Sequence, residues 1–195
     1  RCYSKAYLGK TLLGGKNLRA FPADMLTVNG YLGTDGIKPF VEDIKAHDKS
    51  IFVLVKTSNP SSGELQNLKL ESGEYVYERM GSLVEEWGKD TIGKYGYSEV
   101  GAVVGATHPA EAKNLRNRLK NTFFLIPGYG AQGGNAEMLK VCFDERGLGG
   151  IVNNSRGIIC AYKKPQYSGM NYADAARAAC LDMQQDLAKY IKIKL

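Results

Sequence analysis

Five short apolar runs, each closed by Gly, Pro, Ser or Asn and each followed by a helical pattern, constrain this chain more than anything else in it. They are Met25–Asn29 (within ADMLTVNGYLG), Ile51–Lys56, Val100–Gly105, Thr122–Ile126 and Gly150–Asn153. β-Branched and apolar runs without polar alternation belong to strands covered on both faces, the condition of a parallel sheet under helices. Between them, Ile37, Phe40, Val41 and Ile44, and then Val76, Met80, Leu83, Val84 and Trp87, recur at the spacing of one helix face. No antiparallel hairpin signal is read in this alternation. After Pro165, a closing helix is expected from Tyr172 to Ile193, capped by Asn171, with Ala176, Ala179, Met183, Leu187, Tyr190 and Ile191 on one stripe.

Alternating strands and helices make an α/β fold, whose site lies beyond the carboxyl ends of the strands. Two architectures fit. An open doubly wound sheet could be complete with these strands, whereas a (β/α)8 barrel would need three further units upstream of Arg1. No linker or internal repeat divides the sequence, so residues 1–195 read as one domain. With 44% hydrophobic and 24% charged residues, the chain can bury one sizeable core.

Composition also narrows the partners. No stretch approaches the roughly 20 apolar residues of a membrane span, and the start, RCYSKAYLGK, lacks the apolar run of a signal peptide. A cytoplasmic protein without a membrane partner is expected. The formal charge of +6 is spread along the chain without a nucleic-acid motif, and a mildly basic enzyme for anionic substrates explains it as well as a nucleic-acid binder would. Cys2, Cys142, Cys160 and Cys180 lack C-x-x-C spacing and His47 and His108 stand alone, so no metal site is expected. His47 reads as a solvated residue at a helix end.

The loops after the strands carry the chemistry. In FFLIPGYGAQGG, Phe123 to Gly134, an apolar strand runs into a loop with Gly128, Gly130, Gly133 and Gly134, and a helix is expected from near Asn135. Glycines let backbone approach a ligand, and N–H groups at a helix start favour an anion; a Gly-rich turn without a ligand would look the same. The next strand ends in IVNNSRGI, with Ser155 and the forked donors of Arg156 beside that loop in any parallel barrel. Phosphate-type loops after two successive last strands match the phosphate position of barrels, after strands seven and eight, which favours the barrel and makes Met25–Asn29 strand four. In VLVKTSNPSSG, Ser58 and Asn59 could meet the polar edge of a heterocycle or merely form a turn. Asn29 and the GATHP segment read as turns, and His108 as a helix-start residue.

Taken in order, ADMLTVNGYLGTDGIKPF, VLVKTSNPSSGELQ, VGAVVGATHPAEAKNLR, FFLIPGYGAQGG and GGIVNNSRGI resemble strands four to eight of the orotidine 5'-phosphate decarboxylase family, in the subfamily whose strand-five loop reads T-S-N-P. The resemblance runs from about Ser4 to the end of strand eight. It implies a homodimeric (β/α)8 TIM barrel that converts orotidine 5'-monophosphate to UMP in pyrimidine biosynthesis without metal or organic cofactor. By that resemblance Ser58 hydrogen-bonds the pyrimidine, Pro127 lines it, Gln132 bridges base and phosphate, and Arg156, with Ser155 beside it, binds the phosphate. The family's Asp-x-Lys-x-x-Asp motif, whose lysine protonates C6 as carbon dioxide leaves, does not occur in these residues. YSKAYLGKT resembles the helix that follows that motif, so the catalytic lysine is expected just upstream of Arg1. Two other readings stay open: a sugar-phosphate enzyme of the same superfamily, such as a hexulose phosphate synthase, and a non-catalytic nucleotide-binding α/β module.

Overall fold

The computed structural model describes residues 1–21, 23–130 and 132–194. In chain order it holds α1 (Cys2–Tyr7), β1 (Thr11–Leu13), β2 (Lys16–Leu18), β3 (Met25–Val28), α2 (Thr34–His47), β4 (Ser50–Lys56), α3 (Gly63–Gln66), α4 (Val76–Gly88) and β5 (Ser98–Val104). There follow α5 (Pro109–Arg118), β6 (Thr122–Ile126), α6 (Ala136–Leu139), β7 (Gly150–Val152), α7 (Ser155–Ile159) and α8 (Tyr172–Tyr190). Every strand expected from the sequence is present.

Strands β3 to β7 form one parallel five-stranded sheet in which spatial order equals chain order. That order separates the two architectures. A doubly wound sheet reverses its order at a switch point, whereas right-handed crossovers in unbroken sequence keep every helix on the same face. The core is built accordingly: alternate residues Ile51, Val53 and Val55 of β4, Val100, Ala102 and Val104 of β5, and Phe124 and Ile126 of β6 are buried against Ile37 and Ile44 of α2, Val84 of α4 and Leu115 of α5. The sheet is an arc of a (β/α)8 barrel, roughly strands four to eight. Its other face, with Phe52, Gly101, Phe123 and Ile151, lines a cleft of about 1170 Å³ shared with Met183, Leu187 and Ile191 near the chain end. In a closed barrel that space is packed with side chains.

Two expectations need correction. The chain does contain an antiparallel hairpin, β1 with β2, turning at Gly14 and Gly15 with φ of 57° and 76°. Positive φ at both central positions is the requirement of a tight hairpin turn, and Gly-Gly supplies it. The signal was short because the flanking strands have three residues each and are exposed throughout. The closing helix starts where expected, with the Asn171 carboxamide accepting from the Ala173 and Asp174 amides at 3.0 Å, but it ends at Tyr190. Ala175, Ala179 and Met183 are its buried residues, so the stripe is set one residue from Ala176, and Tyr190 is exposed.

The amino-terminal rim of the sheet is tied by Arg116. Its guanidinium, nearly inaccessible, donates to the carbonyls of Gly149 at 3.1 Å and Thr122 at 2.7 Å, and to that of Leu119, while lying 3.8 Å from the centroid of the Phe124 ring. Burial pulls its pKa down, and nearby Tyr97, Glu85 and Asp144 offset this only in part. Nearby, Asp144 fixes the turn into β7: it accepts from the Arg146 and Leu148 amides at 2.9 Å, from the Tyr97 hydroxyl at 2.6 Å and from the Arg146 side chain. Burial disfavours the charged carboxylate, but these donors outweigh it and hold the pKa at about 2.

Arg116→Met keeps the bulk and removes the donors, leaving buried carbonyls unpaired; we expect a loss of about 3 kcal/mol in unfolding free energy by urea titration. Asp144 has a folded pKa below the unfolded value of roughly 3.9, so its contribution is complete above about pH 4 and is lost as pH falls toward 2. Acid unfolding curves of Asp144→Asn should therefore lose that part of the pH dependence, and should converge on those of the unaltered chain near pH 2.

Candidate functional site

Parallel strands put all their carboxyl ends on one rim, and the loops after β4, β5, β6 and β7 gather there in strand order. The loop after β4 opens with Thr57 and Ser58. Its neck is closed by side-chain pairs: the Thr57 amide donates to Gln66 Oε1 at 3.0 Å, and Gln66 Nε2 donates to Thr57 Oγ1 at 2.8 Å. Thr57 Oγ1 also donates to Asn59 Oδ1 at 2.6 Å, a contact within the turn.

Ser58 is different. Its hydroxyl reaches across the rim and donates to Oε1 of Gln132 at 2.6 Å. Room for that approach is made by glycine: a Cβ on Gly105 would stand 2.8 Å from Ser58, and one on Gly128, whose φ is 103°, would stand 3.1 Å from both Ser58 and Gln132. With the serine proton engaged, the hydroxyl lone pairs remain to accept from a ligand N–H, and the Gln132 Nε2 group remains to donate to a carbonyl or phosphate oxygen. Pro127, half-buried just past β6, accepts from the Ala106 amide at 2.8 Å, which fixes the glycine loop to the loop after β5.

The glycine loop is less open to an anion than its composition implies. The amides of Gly130, Gly133 and Gly134 are spent inside it, donating to Gly134 O at 2.8 Å, Gly130 O at 2.9 Å and Gly128 O at 3.1 Å. The helix after it, α6, has a single turn, and Asn135 already accepts from its Met138 amide at 2.9 Å. Asn135 thus takes one amide of the helix start, and the anion expected there from the sequence would use the others. The available positive charge stands on the adjacent strand end, where Arg156 is exposed in the first turn of α7 beside Ser155, whose hydroxyl donates to Asn153 Oδ1 at 3.2 Å. The two loops touch through Asn154, whose Oδ1 is 3.5 Å from where a Gly130 Cβ would stand.

The structure thus brings Ser58 and Gln132 into direct contact, with Pro127 on the same loop as Gln132 and Ser155 and Arg156 on the neighbouring strand end. The turn readings hold for Asn29, which accepts from the Tyr31 amide at 2.9 Å. His47 lies at the end of α2, 4.0 Å from Asp43. His108 Nε2 lies 3.4 Å from Ser62 Oγ, and burial lowers its pKa. Sequence reasoning passed over Thr107, whose hydroxyl donates to Ser58 O at 3.4 Å, and Asn154, which fills the space beside Gly130 and Gly157. Their position in the loops at the carboxyl ends of β5 and β7 was the available signal.

The family model for orotidine 5'-phosphate decarboxylase / HUMPS matches residues 15–169. Orotidine 5'-phosphate decarboxylase of Caldicellulosiruptor bescii is 56% identical over 166 residues, covering 85% of this chain and 54% of its own length. The enzyme of the same name from Clostridium botulinum strain Langeland is 47% identical over 167 residues, 86% of this chain and 58% of its own. Among solved structures, Leishmania donovani OMP decarboxylase superposes with a TM-score of 0.63 at 30% identity, covering 85% of this chain and 58% of that one. The chain spans about half the length of the curated relatives it matches. No helix among the described residues is long and apolar enough to cross a membrane. With the family match running from the hairpin to just short of α8 and taking in both loops that meet at Ser58 and Gln132, this chain belongs to the orotidine 5'-phosphate decarboxylase / HUMPS family.

Proposed function

We propose that this chain supplies the base- and phosphate-binding part of an orotidine 5'-phosphate decarboxylase, which forms UMP and carbon dioxide from orotidine 5'-monophosphate in pyrimidine biosynthesis. The observation that carries the reading is the Ser58–Gln132 hydrogen bond, which joins the T-S-N-P loop to the glycine loop and offers one acceptor and one donor side by side. A pyrimidine edge presents the complementary pair, an N–H next to a carbonyl. Ser58 and Pro127 would meet the base, Gln132 the region between base and phosphate, and Arg156 with Ser155 the phosphate.

In this reading the phosphate is gripped far from the reacting carbon, and that remote binding energy favours a closed, water-poor site in which a developing carbanion is stabilised. In the family the proton donor is the lysine of the Asp-x-Lys-x-x-Asp motif, a motif that residues 1–195 do not contain. The chemical step therefore needs that motif in addition to the surfaces described. The working enzyme would be a cytoplasmic homodimer with neither metal nor organic cofactor. The T-S-N-P loop and relatives named orotidine 5'-phosphate decarboxylase at up to 56% identity support a pyrimidine over a bare sugar phosphate as ligand.

Calorimetric titration tests this directly. UMP should bind, and uridine should bind at least about 10-fold more weakly, since a charge-assisted phosphate contact is worth roughly 1.5–3 kcal/mol. Ser58→Ala should weaken UMP by about 5- to 10-fold while leaving ribose 5-phosphate unchanged, and Arg156→Ala should weaken both by about 10-fold or more. Equal affinity for ribose 5-phosphate and UMP would turn the reading to the sugar-phosphate enzyme.

A further inference from the structure

Lys56, the last residue of β4, is wholly inaccessible to solvent. Its ammonium lies among neutral groups: Asn67 Oδ1 accepts from it at 2.9 Å, Ser62 Oγ is at 3.4 Å, and the Tyr77 ring centroid is 5.8 Å away. Ser62 in turn is 3.4 Å from His108 Nε2. Burial pulls the Lys56 pKa down, and Glu111 on α5 raises it in part. Among the described residues no carboxylate forms an ion pair with it. A buried ammonium without a counter-ion is a poor way to stabilise a core, and an apolar side chain of similar length is often better. Such a residue calls for a use outside the core.

Its geometry supplies one. Lys56 pairs with Asn67 as its neighbour Thr57 pairs with Gln66, so two successive side-chain rungs close the neck of the loop whose next residue is Ser58. We propose that Lys56 is a positioning residue for the nucleotide site: by clasping Asn67 it holds the loop after β4 so that Ser58 meets Gln132. The inference rests on the functional reading above. Lys56 itself touches no ligand, and acts through the orientation of Ser58.

Lys56→Met separates this role from a structural one. Met fills the space, Ser62 keeps His108 as a partner, and Asn67, which is exposed, can turn its carbonyl to water. The expected result is a thermal midpoint equal to or above that of the unaltered chain, faster amide hydrogen exchange over residues 57–67, and UMP affinity lowered by about 10-fold, the effect of loosening one well-placed contact. Asn67→Ala, on the solvent side of the clasp, should speed exchange in the same segment and weaken UMP, and the double variant should be no worse than Lys56→Met. Undiminished UMP affinity in Lys56→Met, or in Asn67→Ala should the first variant not fold, overturns the proposal. So does a midpoint that falls together with affinity, which would make the lysine a core residue. Failure of the unaltered chain to bind UMP overturns the functional reading itself and this proposal with it, a result distinct from the others because it appears before any substitution is made.

Discussion

Everything at the site depends on the unbroken order of the sheet. Because each crossover returns the chain to the next strand on the same side, the helices cover one face and the strand ends follow one another along a single rim. Four successive loops therefore stand next to one another in the order of the chain. Ser58 and Gln132 are 74 positions apart and still share a hydrogen bond, with the loop after β5 wedged between them through Gly105 and Thr107. An open sheet with a switch point would have sent some of these loops elsewhere. Loop composition alone confers little: the glycine loop uses much of its own hydrogen-bonding capacity to hold its shape, and an exposed cation, Arg156, stands one strand further on.

Much of this architecture could be read from residues, for identifiable reasons. β4 and β5 are buried at most of their residues, and such burial selects continuous β-branched runs such as IFVLV and VGAVV that few other structures tolerate. The exposed hairpin had no such pressure on it; Leu12 and Leu13 are left in solvent, and only Gly14-Gly15 marks the turn. The placement of α8 slipped by one residue because alanines at 175, 176, 178 and 179 define an apolar stripe only loosely, and the choice among them is made by the neighbours they meet.

The site was legible at a different level. That Ser58 and Gln132 belong together came from resemblance, since no spacing rule links residues in loops so far apart. Which loop amides are spent internally, and that Lys56 is buried rather than exposed, depends on three-dimensional closure. A lysine closing an apolar run looks from the sequence like an ordinary strand end meeting water. Here the strand end meets α4 and the loop instead, and the chain places Asn67, Ser62 and Tyr77 around the ammonium.

Arg116 carries a consequence for the order in which such a fold can form. Its carbonyl partners come from the end of α5, the start of β6 and the residue before β7, so its donors are all satisfied only when these three segments are assembled together. A species with α5 docked but β7 still loose would hold a dehydrated cation facing a gap, and so would lie high in free energy. The final strands should consequently open and close as one foldon, leaving few half-assembled states in which the edge of β6 is offered to another chain.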